Sequence, residues 1–259
     1  MPGNHRATRL YSAQQINIVR IARDLVTKWM NKTIKETRNG AYKSPMDIEY
    51  SFRDYLDSTR ATGIPIEPLY PNLTLNNRVP EYGYHTSVAV NEEVSRSKPT
   101  DTEFQPGDLI SIDVSVRLDG MCVAMIDTLT YRTPTRLYSK LVGVAYSILA
   151  QIISMLNYGN IASNAIAGMI TESAKQNNIT VIPNIVSHGI GLSSFEEPII
   201  PIKPTDRNVL LRRGNVILAQ IAITEGDGGL IIDTDKWLLI TQDDSPTVHV
   251  GRTVIVGEL

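Results

Sequence analysis

The sequence has almost no cysteine, no apolar run long enough to cross a membrane, and no excess of one charge. Its 259 residues include one cysteine, Cys122, which excludes a disulfide framework and a thiolate metal site within the chain. The first twenty residues lack the apolar core of a signal peptide. We therefore expect a cytoplasmic protein in which Cys122 is an unreactive buried thiol.

The charge balance gives no support to two classes of partner. The 25 basic and 27 acidic residues leave a formal charge of −2, so bulk charge favours neither a nucleic acid nor a membrane surface. Hydrophobic residues make up 42% of the chain, which is enough for a substantial core. No linker divides the sequence, and we predict a tail over residues 1–10 and a single domain over residues 11–259.

Four helices are predicted from capping signals and apolar spacing. Ser12 and Gln15 form a capping box before the first helix, which should end before Asn39-Gly40. Ser44 and Pro45 mark the start of the second. The four predicted helices run from Ser12 to Asn39, over residues 46–60, from Pro134 to Gly159 as a buried core helix, and over residues 163–176.

Alternating apolar residues predict strands between and after the helix pairs. Residues 87–91 form one strand, and residues 109–116 and 121–131 form a hairpin that turns at Asp119-Gly120. The Pro- and Asn-rich stretch 63–80 is predicted to be a loop, and strands follow from Val181 onward. Two similarly ordered halves indicate a pseudo-duplicated α+β domain.

Three stretches, in this order, carry a resemblance to a known family. They are the strand GDLISIDV at residues 107–114, the turn SHGIG at residues 187–191 with FEEP at residues 195–198, and the C-terminal strands at residues 215–223 and 247–256. Together they resemble the type I methionine aminopeptidases of the M24 superfamily, from about Tyr11 to Val256. The resemblance implies the α+β pita-bread fold, a curved antiparallel sheet with helices on its outer face.

The resemblance also implies a metal site, and this sequence departs from it. In the family two Asp, one His and two Glu hold two divalent cations that generate hydroxide from water. Asp113 and His188 match two of these ligands. The other three positions fall on Ala124, Gln220 and Gly251.

The neighbouring positions do not supply substitutes. The family's two auxiliary histidines fall on Arg96 and Phe195. Asp127 and Glu225 lie an odd number of residues from Ala124 and Gln220, which places them on the opposite face of their strands. Removal of a residue that only hydrogen-bonds a metal ligand typically lowers metal affinity about 10–100-fold, and the loss of three ligands should lower it much further. We therefore expect no metal and no cofactor.

The remaining charges suggest a new pairing in the former metal cavity. Four packed carboxylates without metal would repel one another, and replacing three of them relieves that cost. We hypothesise that Arg96 enters the cavity and pairs with Asp113.

The residues that remain have both functional and structural interpretations. His188 is a general base, a hydrogen-bond donor to a ligand, or a histidine needed for the shape of its turn. Asp113 is an anchor for Arg96 and His188 or a catalytic acid. Trp237 lines a pocket or belongs to the core, and His249 could lean into the cleft. The binding candidates are Arg96, Tyr84, His85, Phe195, Gln220 and Trp237.

Three functions follow from the resemblance and its departures. The first is a pseudoenzyme that binds a peptide, protein or small molecule in the old cleft. The second is a metal-independent hydrolase or isomerase centred on His188 and Asp113, comparable in principle to creatinase, which uses this fold without metal. The third is residual metalloaminopeptidase activity.

Overall fold

The structure, a computed structural model, describes residues 8–70, 82–233 and 237–258. The described residues form four helices and fourteen strands. The helices are α1 (Ala13–Arg38), α2 (Pro45–Ala61), α3 (Arg136–Tyr158) and α4 (Ser163–Asn177). The strands are β1 (Ile66–Pro68), β2 (Thr86–Val90), β3 (Glu93–Ser95), β4 (Leu109–Leu118), β5 (Met121–Thr130), β6 (Ile161–Ala162), β7 (Thr180–Val181), β8 (Ser187–Gly189), β9 (Glu196–Ile200), β10 (Leu210–Leu211), β11 (Val216–Thr224), β12 (Leu230–Ile232), β13 (Leu239–Thr241) and β14 (Thr247–Ile255).

The helices begin and end at the residues whose side chains favour those positions. Ser12 accepts a hydrogen bond from the backbone N–H of Gln15, and the Gln15 side chain accepts one in return from the Ser12 backbone. Ser44 caps α2 in the same reciprocal way with Asp47. Helix α4 ends at Asn178, which adopts the left-handed conformation. All four predicted helices are confirmed.

A nine-stranded sheet forms the centre of the domain. Its strand order is β1-β4-β5-β14-β11-β8-β9, with β2 paired to β4 and β7 paired to β11. Every pairing in the described residues is antiparallel, and the Asp119-Gly120 hairpin joins β4 to β5 as predicted. The sheet and its helices have the pita-bread fold.

The stretch 63–80 is only partly a loop, which corrects the prediction. Within it, β1 pairs with β4 through Ile66 opposite Leu118 and Pro68 opposite Val116. Ile66 is fully buried, so packing holds this short strand at the sheet edge, where a proline is tolerated. Residues 71–80 lie outside the described residues.

The helices cover one face of the sheet and leave the other face for a site. Alternate residues of β11, namely Ile217, Ala219, Ile221 and Ile223, pack in one core with helices α3 and α4. Alternate residues of β4, including Ile112 and Val114, pack in a second core with α1 and α2. The intervening residues of each strand therefore point to the face opposite the helices.

Helix α3 is long and apolar enough to cross a membrane by length and composition alone. Its buried residues Leu141, Ile148 and Ile152 pack against the sheet in the core shared with α4. The sequence predicted this packing of α3 in the core. Core helices of globular domains can also be long and apolar enough to match a membrane-spanning helix.

Candidate functional site

A row of directly opposed residues crosses four strands on the face away from the helices. Asp113 on β4 lies opposite Ile126 on β5, Ile126 lies opposite Gly251 on β14, and Gly251 lies opposite Gln220 on β11. Directly opposed residues point to the same side of a sheet. Two predicted site residues, Asp113 and Gln220, thus share one face, with an isoleucine and a glycine between them.

The register brings two further predicted positions to the same face. His188 on β8 lies opposite Leu218, which is two residues from Gln220. Ala124 lies opposite Ser115, which is two residues from Asp113. Because side chains alternate between the two faces of a strand, His188 and Ala124 lie on the face that carries Asp113 and Gln220.

Asp113, Ala124, His188 and Gln220 line a cavity of about 450 Å³. The predicted residues that line it are Arg96, Asp113, His188, Phe195, Gln220 and His249. Arg96 and Asp113 are the only formally charged side chains among its lining residues in the described ranges. The volume falls in the range typical of small-molecule pockets.

Asp113 is held by a tyrosine that the sequence did not point to. The Tyr70 hydroxyl donates a hydrogen bond to Oδ2 of Asp113, while Oδ1 is buried and has no partner. Burial raises the pKa of Asp113 to about 7, and the hydrogen bond from Tyr70 opposes that rise. Tyr70 follows β1, the strand absent from the predicted elements, so no sequence signal placed it in the site.

Arg96 lines the cavity but does not pair with Asp113. No ion pair joins the two side chains in the part of the chain that the structure describes, so the hypothesised pairing is wrong. Asp113 accepts a hydrogen bond from the Tyr70 hydroxyl instead, and burial favours the neutral form of Asp113 by raising its pKa to about 7, which weakens its attraction for a guanidinium. Arg96 itself has a left-handed backbone, with φ of 60°, a conformation that costs about 1–3 kcal/mol for a residue other than glycine.

His188 is buried and partly covered by an aromatic ring. Its Nδ1 lies 2.8 Å from the carbonyl oxygen of Gly189, to which it donates. The rings of His188 and Phe195 have centroids 4.3 Å apart, and Phe195 is 55% exposed at the cavity. Burial lowers the pKa of His188, and the hydrogen bond to Gly189 opposes that shift.

Gln220 is fixed by hydrogen bonds on both sides of its amide. Its Nε2 donates to the carbonyl oxygen of Val186 at 2.8 Å, and its Oε1 accepts from Nε2 of His249 at 3.0 Å. Burial lowers the pKa of His249 to about 4, so this imidazole is neutral at physiological pH. Gln220 and His249 form a satisfied pair, and His249 does reach the cavity.

Gly251 has no room for a side chain. A Cβ at this position would lie 2.6 Å from Cδ1 of Ile126 and 2.9 Å from Cβ of Gln220. Both distances are shorter than real Cβ contacts allow. The apolar side chain of Ile126 therefore occupies space that a longer residue at position 251 would need.

The substitution Gly251→Ala should consequently destabilise the fold by about 1–3 kcal/mol, because the added methyl group would overlap the side chains of Ile126 and Gln220 on the adjacent strands. Adding Ile126→Val, which removes Cδ1, should recover part of that loss. Urea unfolding of the two single variants and the double variant measures the coupling. Additive effects would contradict the steric account.

Three predicted binding residues lie away from the cavity. His85 is bound to Glu49 of α2 through a contact of 2.9 Å at Nδ1. Tyr84 packs on Tyr82 with ring centroids 6.1 Å apart. Trp237 is buried with its ring 5.4 Å from that of Tyr82, which confirms the core interpretation of this tryptophan. None of the three is among the described residues that line the cavity.

The two acidic residues rejected as substitute ligands are indeed elsewhere. Asp127 faces the helices, where it accepts hydrogen bonds from the Tyr146 hydroxyl of α3 and from Arg252 at 2.5 Å. Glu225 is exposed beyond the last residue of β11. Within the described residues, no three His, Cys, Asp or Glu side chains form a group that could hold a metal ion.

Comparisons with known proteins agree with this architecture. Residues 17–258 match the metallopeptidase family M24. A methionine aminopeptidase of Staphylococcus epidermidis is 30% identical over 175 residues, covering 66% of this chain and 69% of the relative. A methionine aminopeptidase of Helicobacter pylori is 25% identical over 260 residues, covering 97% of this chain and 96% of the relative.

A solved structure extends the likeness to the whole fold. The crystal structure of a methionine aminopeptidase from Thermotoga maritima superposes with a TM-score of 0.85 at 24% identity, covering 97% of this chain and 96% of that one. The match to the family model spans most of the chain, from the first helix to the last strand. The chain therefore belongs to metallopeptidase family M24 and has the fold of the methionine aminopeptidases.

Proposed function

We propose that this protein is a cytoplasmic member of family M24 that lacks a two-metal centre. In this proposal it uses the cavity to bind a peptide, protein or small molecule and does not hydrolyse peptides by metal catalysis. The observation that carries the proposal is that the three remaining family positions on the face of Asp113 and His188 are Ala124, Gln220 and Gly251, none of which supplies a carboxylate.

The donor set does not fit two divalent cations. Asp113 and His188 are the only residues at the five family positions that carry a carboxylate or an imidazole. The hydrogen bond from Nδ1 of His188 to Gly189 leaves only Nε2 of that imidazole as a donor to a metal, and the amide of Gln220 is engaged with Val186 and His249. Hard divalent cations favour several carboxylate oxygens, and each missing ligand lowers affinity strongly.

Position 251 is also tightly packed against its neighbours on the adjacent strands. Ile126 fills the space beside Gly251, so a single substitution at position 251 could not introduce a carboxylate without displacement of its neighbours. The cavity nevertheless remains open and carries polar groups on several strands. An open cavity with few fixed polar groups is typical of binding sites.

The metal-independent enzyme receives less support from the same geometry. A general base is usually oriented by a neighbouring carboxylate that accepts its Nδ1 proton. In the described ranges, no hydrogen bond joins His188 to Asp113, and a backbone carbonyl accepts from Nδ1. Binding is therefore the function that we favour.

An activity assay tests the proposal against the metalloaminopeptidase alternative. We expect no release of methionine from an N-terminal methionine peptide, whether the protein is treated with chelator or supplied with Mn²⁺ or Co²⁺. The variant His188→Ala should give the same background, and a methionine aminopeptidase in the same assay provides the positive control. Release that requires metal and disappears in His188→Ala would overturn the proposal.

A further inference from the structure

A second cavity lies between helices α1 and α2, on the helical side of the sheet. Its volume is about 780 Å³, and its walls come from α1, from α2 and from the loop that joins them. Among the residues that the structure describes, none lines both this cavity and the one that contains Asp113 and His188. The cavity between the helices is therefore separate from the candidate functional site.

Hydrogen bonds fix the aromatic side chains of this second cavity. The Trp29 indole Nε1 donates to Oγ of Ser51 at 3.3 Å, and the Tyr42 hydroxyl lies 2.9 Å from the same oxygen. The Tyr55 hydroxyl donates to the carbonyl oxygen of Leu25 at 2.9 Å. Because the polar ends of Tyr42 and Tyr55 are bound to the protein, their rings are the part that a ligand can contact.

The α2 wall offers an aromatic ring and a free carboxylate one helical turn apart. Tyr50 and Asp54 both line the cavity, and Tyr50 is 55% exposed. Within the described ranges, neither side chain forms a hydrogen bond or an ion pair. Asp47 is different, because its Oδ2 already accepts from the backbone N–H groups of Lys43 and Ser44. A tyrosine face beside an unpaired carboxylate attracts a cation.

The α1 wall offers two ammonium groups, also one helical turn apart. Lys28 and Lys32 line the cavity and are exposed. In the part of the chain that the structure describes, neither lysine forms an ion pair or a hydrogen bond through its side chain. Like charges four residues apart on a helix repel each other, and a bound dianion would relieve that repulsion. A phosphate monoester carries nearly two negative charges and three strong acceptor oxygens.

The two walls therefore carry opposite charges that do not pair across the cavity. A ligand that satisfies both walls has a cation at one end and a dianion at the other. The cationic end faces aromatic rings, and two of the three tyrosine hydroxyls are already engaged. A quaternary ammonium group has no N–H donors to satisfy and is well suited to such rings.

We propose that the cavity between α1 and α2 binds a zwitterion of the phosphocholine class. Its phosphate would contact Lys28 and Lys32, and its trimethylammonium group would lie against Tyr50 beside Asp54. The volume of about 780 Å³ falls in the range of small-molecule sites. This assignment does not rest on the proposed function, because it uses none of the residues around Asp113.

Calorimetric titration of the full-length protein tests the assignment with three probes. Phosphocholine carries both charges, choline lacks the phosphate, and the carbon isostere of phosphocholine has a neutral tert-butyl group in place of the trimethylammonium group. We expect saturable binding of phosphocholine with a dissociation constant of about 1 mM or below. Choline and the isostere should each bind about 10-fold more weakly or worse, since each loses the contacts of one wall.

Two variants separate the contributions of the two walls. Tyr50→Leu should weaken phosphocholine and choline but not the isostere, because leucine keeps an apolar contact without a ring face. The double variant Lys28→Gln/Lys32→Gln should weaken phosphocholine and the isostere but not choline. Lys35→Gln and Tyr158→Leu are the matched controls, because both residues are exposed and neither lines this cavity. The controls should change none of the three affinities.

The crossed pattern distinguishes ligand contact from a structural role. Absence of phosphocholine binding, binding of the isostere as tight as that of phosphocholine, or equal losses of all three probes in both variants would overturn the assignment. His188→Ala should bind phosphocholine as the wild type does, so failure of the proposed function would leave this result unchanged.

Vesicles distinguish the two sources of the same chemical group. Phosphatidylcholine vesicles that sediment with the wild-type protein, but less with Tyr50→Leu, would assign the site to a lipid headgroup. Binding of free phosphocholine without such cosedimentation would assign it to a soluble ligand. Equal cosedimentation of wild type and Tyr50→Leu with phosphatidylglycerol vesicles, without phosphocholine binding, would show attraction by charge alone and would contradict the proposal.

Discussion

Replacing Glu49 by glutamine is expected to cost about 3 kcal/mol of folding free energy at pH 7. Glu49 is completely buried on α2 and accepts hydrogen bonds from the backbone N–H groups of His85 and Thr86 and from the Thr86 hydroxyl. It also accepts from Nε of Arg53 at 2.7 Å. This one carboxylate therefore ties the second helix to the start of β2, next to the strand that carries Asp113.

The expected magnitude follows from the protonation equilibrium of the carboxyl group. Burial acts to raise the pKa of Glu49, but the hydrogen bonds from His85, Thr86 and Arg53 outweigh burial and hold the pKa at about 2. Each unit of pKa difference between the folded and unfolded states corresponds to about 1.4 kcal/mol. A glutamine cannot supply this charged acceptor, and its NH₂ group would face donors.

The same linkage predicts a dependence on pH. Because the folded-state pKa lies below the unfolded value of about 4.5, the carboxylate contributes its full stabilisation above that value. The contribution is lost as the pH falls from about 4.5 towards 2. The difference between wild type and Glu49→Gln should therefore be largest at pH 7 and should shrink at pH 3.

Urea unfolding at pH 7, 5 and 3 measures both effects. Glu172→Gln is the matched control, because Glu172 is exposed on α4 and its replacement should change stability by less than about 0.5 kcal/mol. Equal stability of Glu49→Gln and Glu172→Gln at neutral pH would show that the hydrogen bonds from His85 and Thr86 to Glu49 do not stabilise the fold in solution.

The second large effect is expected at Gly189. Gly189→Ala should destabilise the protein by about 3 kcal/mol, because the new Cβ would overlap backbone atoms and not a flexible side chain. It would lie 2.8 Å from the carbonyl carbon of Glu197 and 3.0 Å from the carbonyl oxygen of Glu196. Only glycine lets β8 approach β9 this closely, and this approach brings His188 against Phe195.

A second glycine provides the control for Gly189. Gly143 lies within α3 with open space around the position of a Cβ. Gly143→Ala should therefore stabilise the protein by about 0.5–1 kcal/mol through helix propensity. Thermal unfolding of both variants measures the contrast. Similar melting temperatures for Gly189→Ala and wild type would show that the β8–β9 contact can relax without cost.

Local signals accounted for most of the fold. Ser12, Ser44 and the left-handed Asn178 mark helix ends through side-chain and backbone chemistry that a few neighbouring residues determine. Strand β1 escaped prediction because its three residues carry no alternation of their own. Its existence depends on pairing with β4, which lies about fifty residues further along the chain.

The site was predicted where the family motifs and strand periodicity locate a residue, and it was missed where long-range packing decides. The family resemblance placed Asp113 in the cavity, and the period of two placed Asp127 on the opposite face of its strand, as found. The capture of His85 by Glu49 and of Asp113 by Tyr70 joins residues 36 and 43 positions apart. Such contacts depend on the three-dimensional arrangement, so the resemblance to the family led us to assign Arg96 to Asp113 and His85 to the cleft.

The central claim is that the family's two-metal site has no equivalent in this protein. Calorimetric titration of the chelator-treated protein with Mn²⁺ and with Co²⁺, together with elemental analysis of the untreated protein, tests it most directly. The account predicts no site with a dissociation constant below about 1 mM and no stoichiometric metal in the untreated protein. One or two tight sites, lost in the Asp113→Asn or His188→Ala variant, would contradict it and restore the metallopeptidase interpretation.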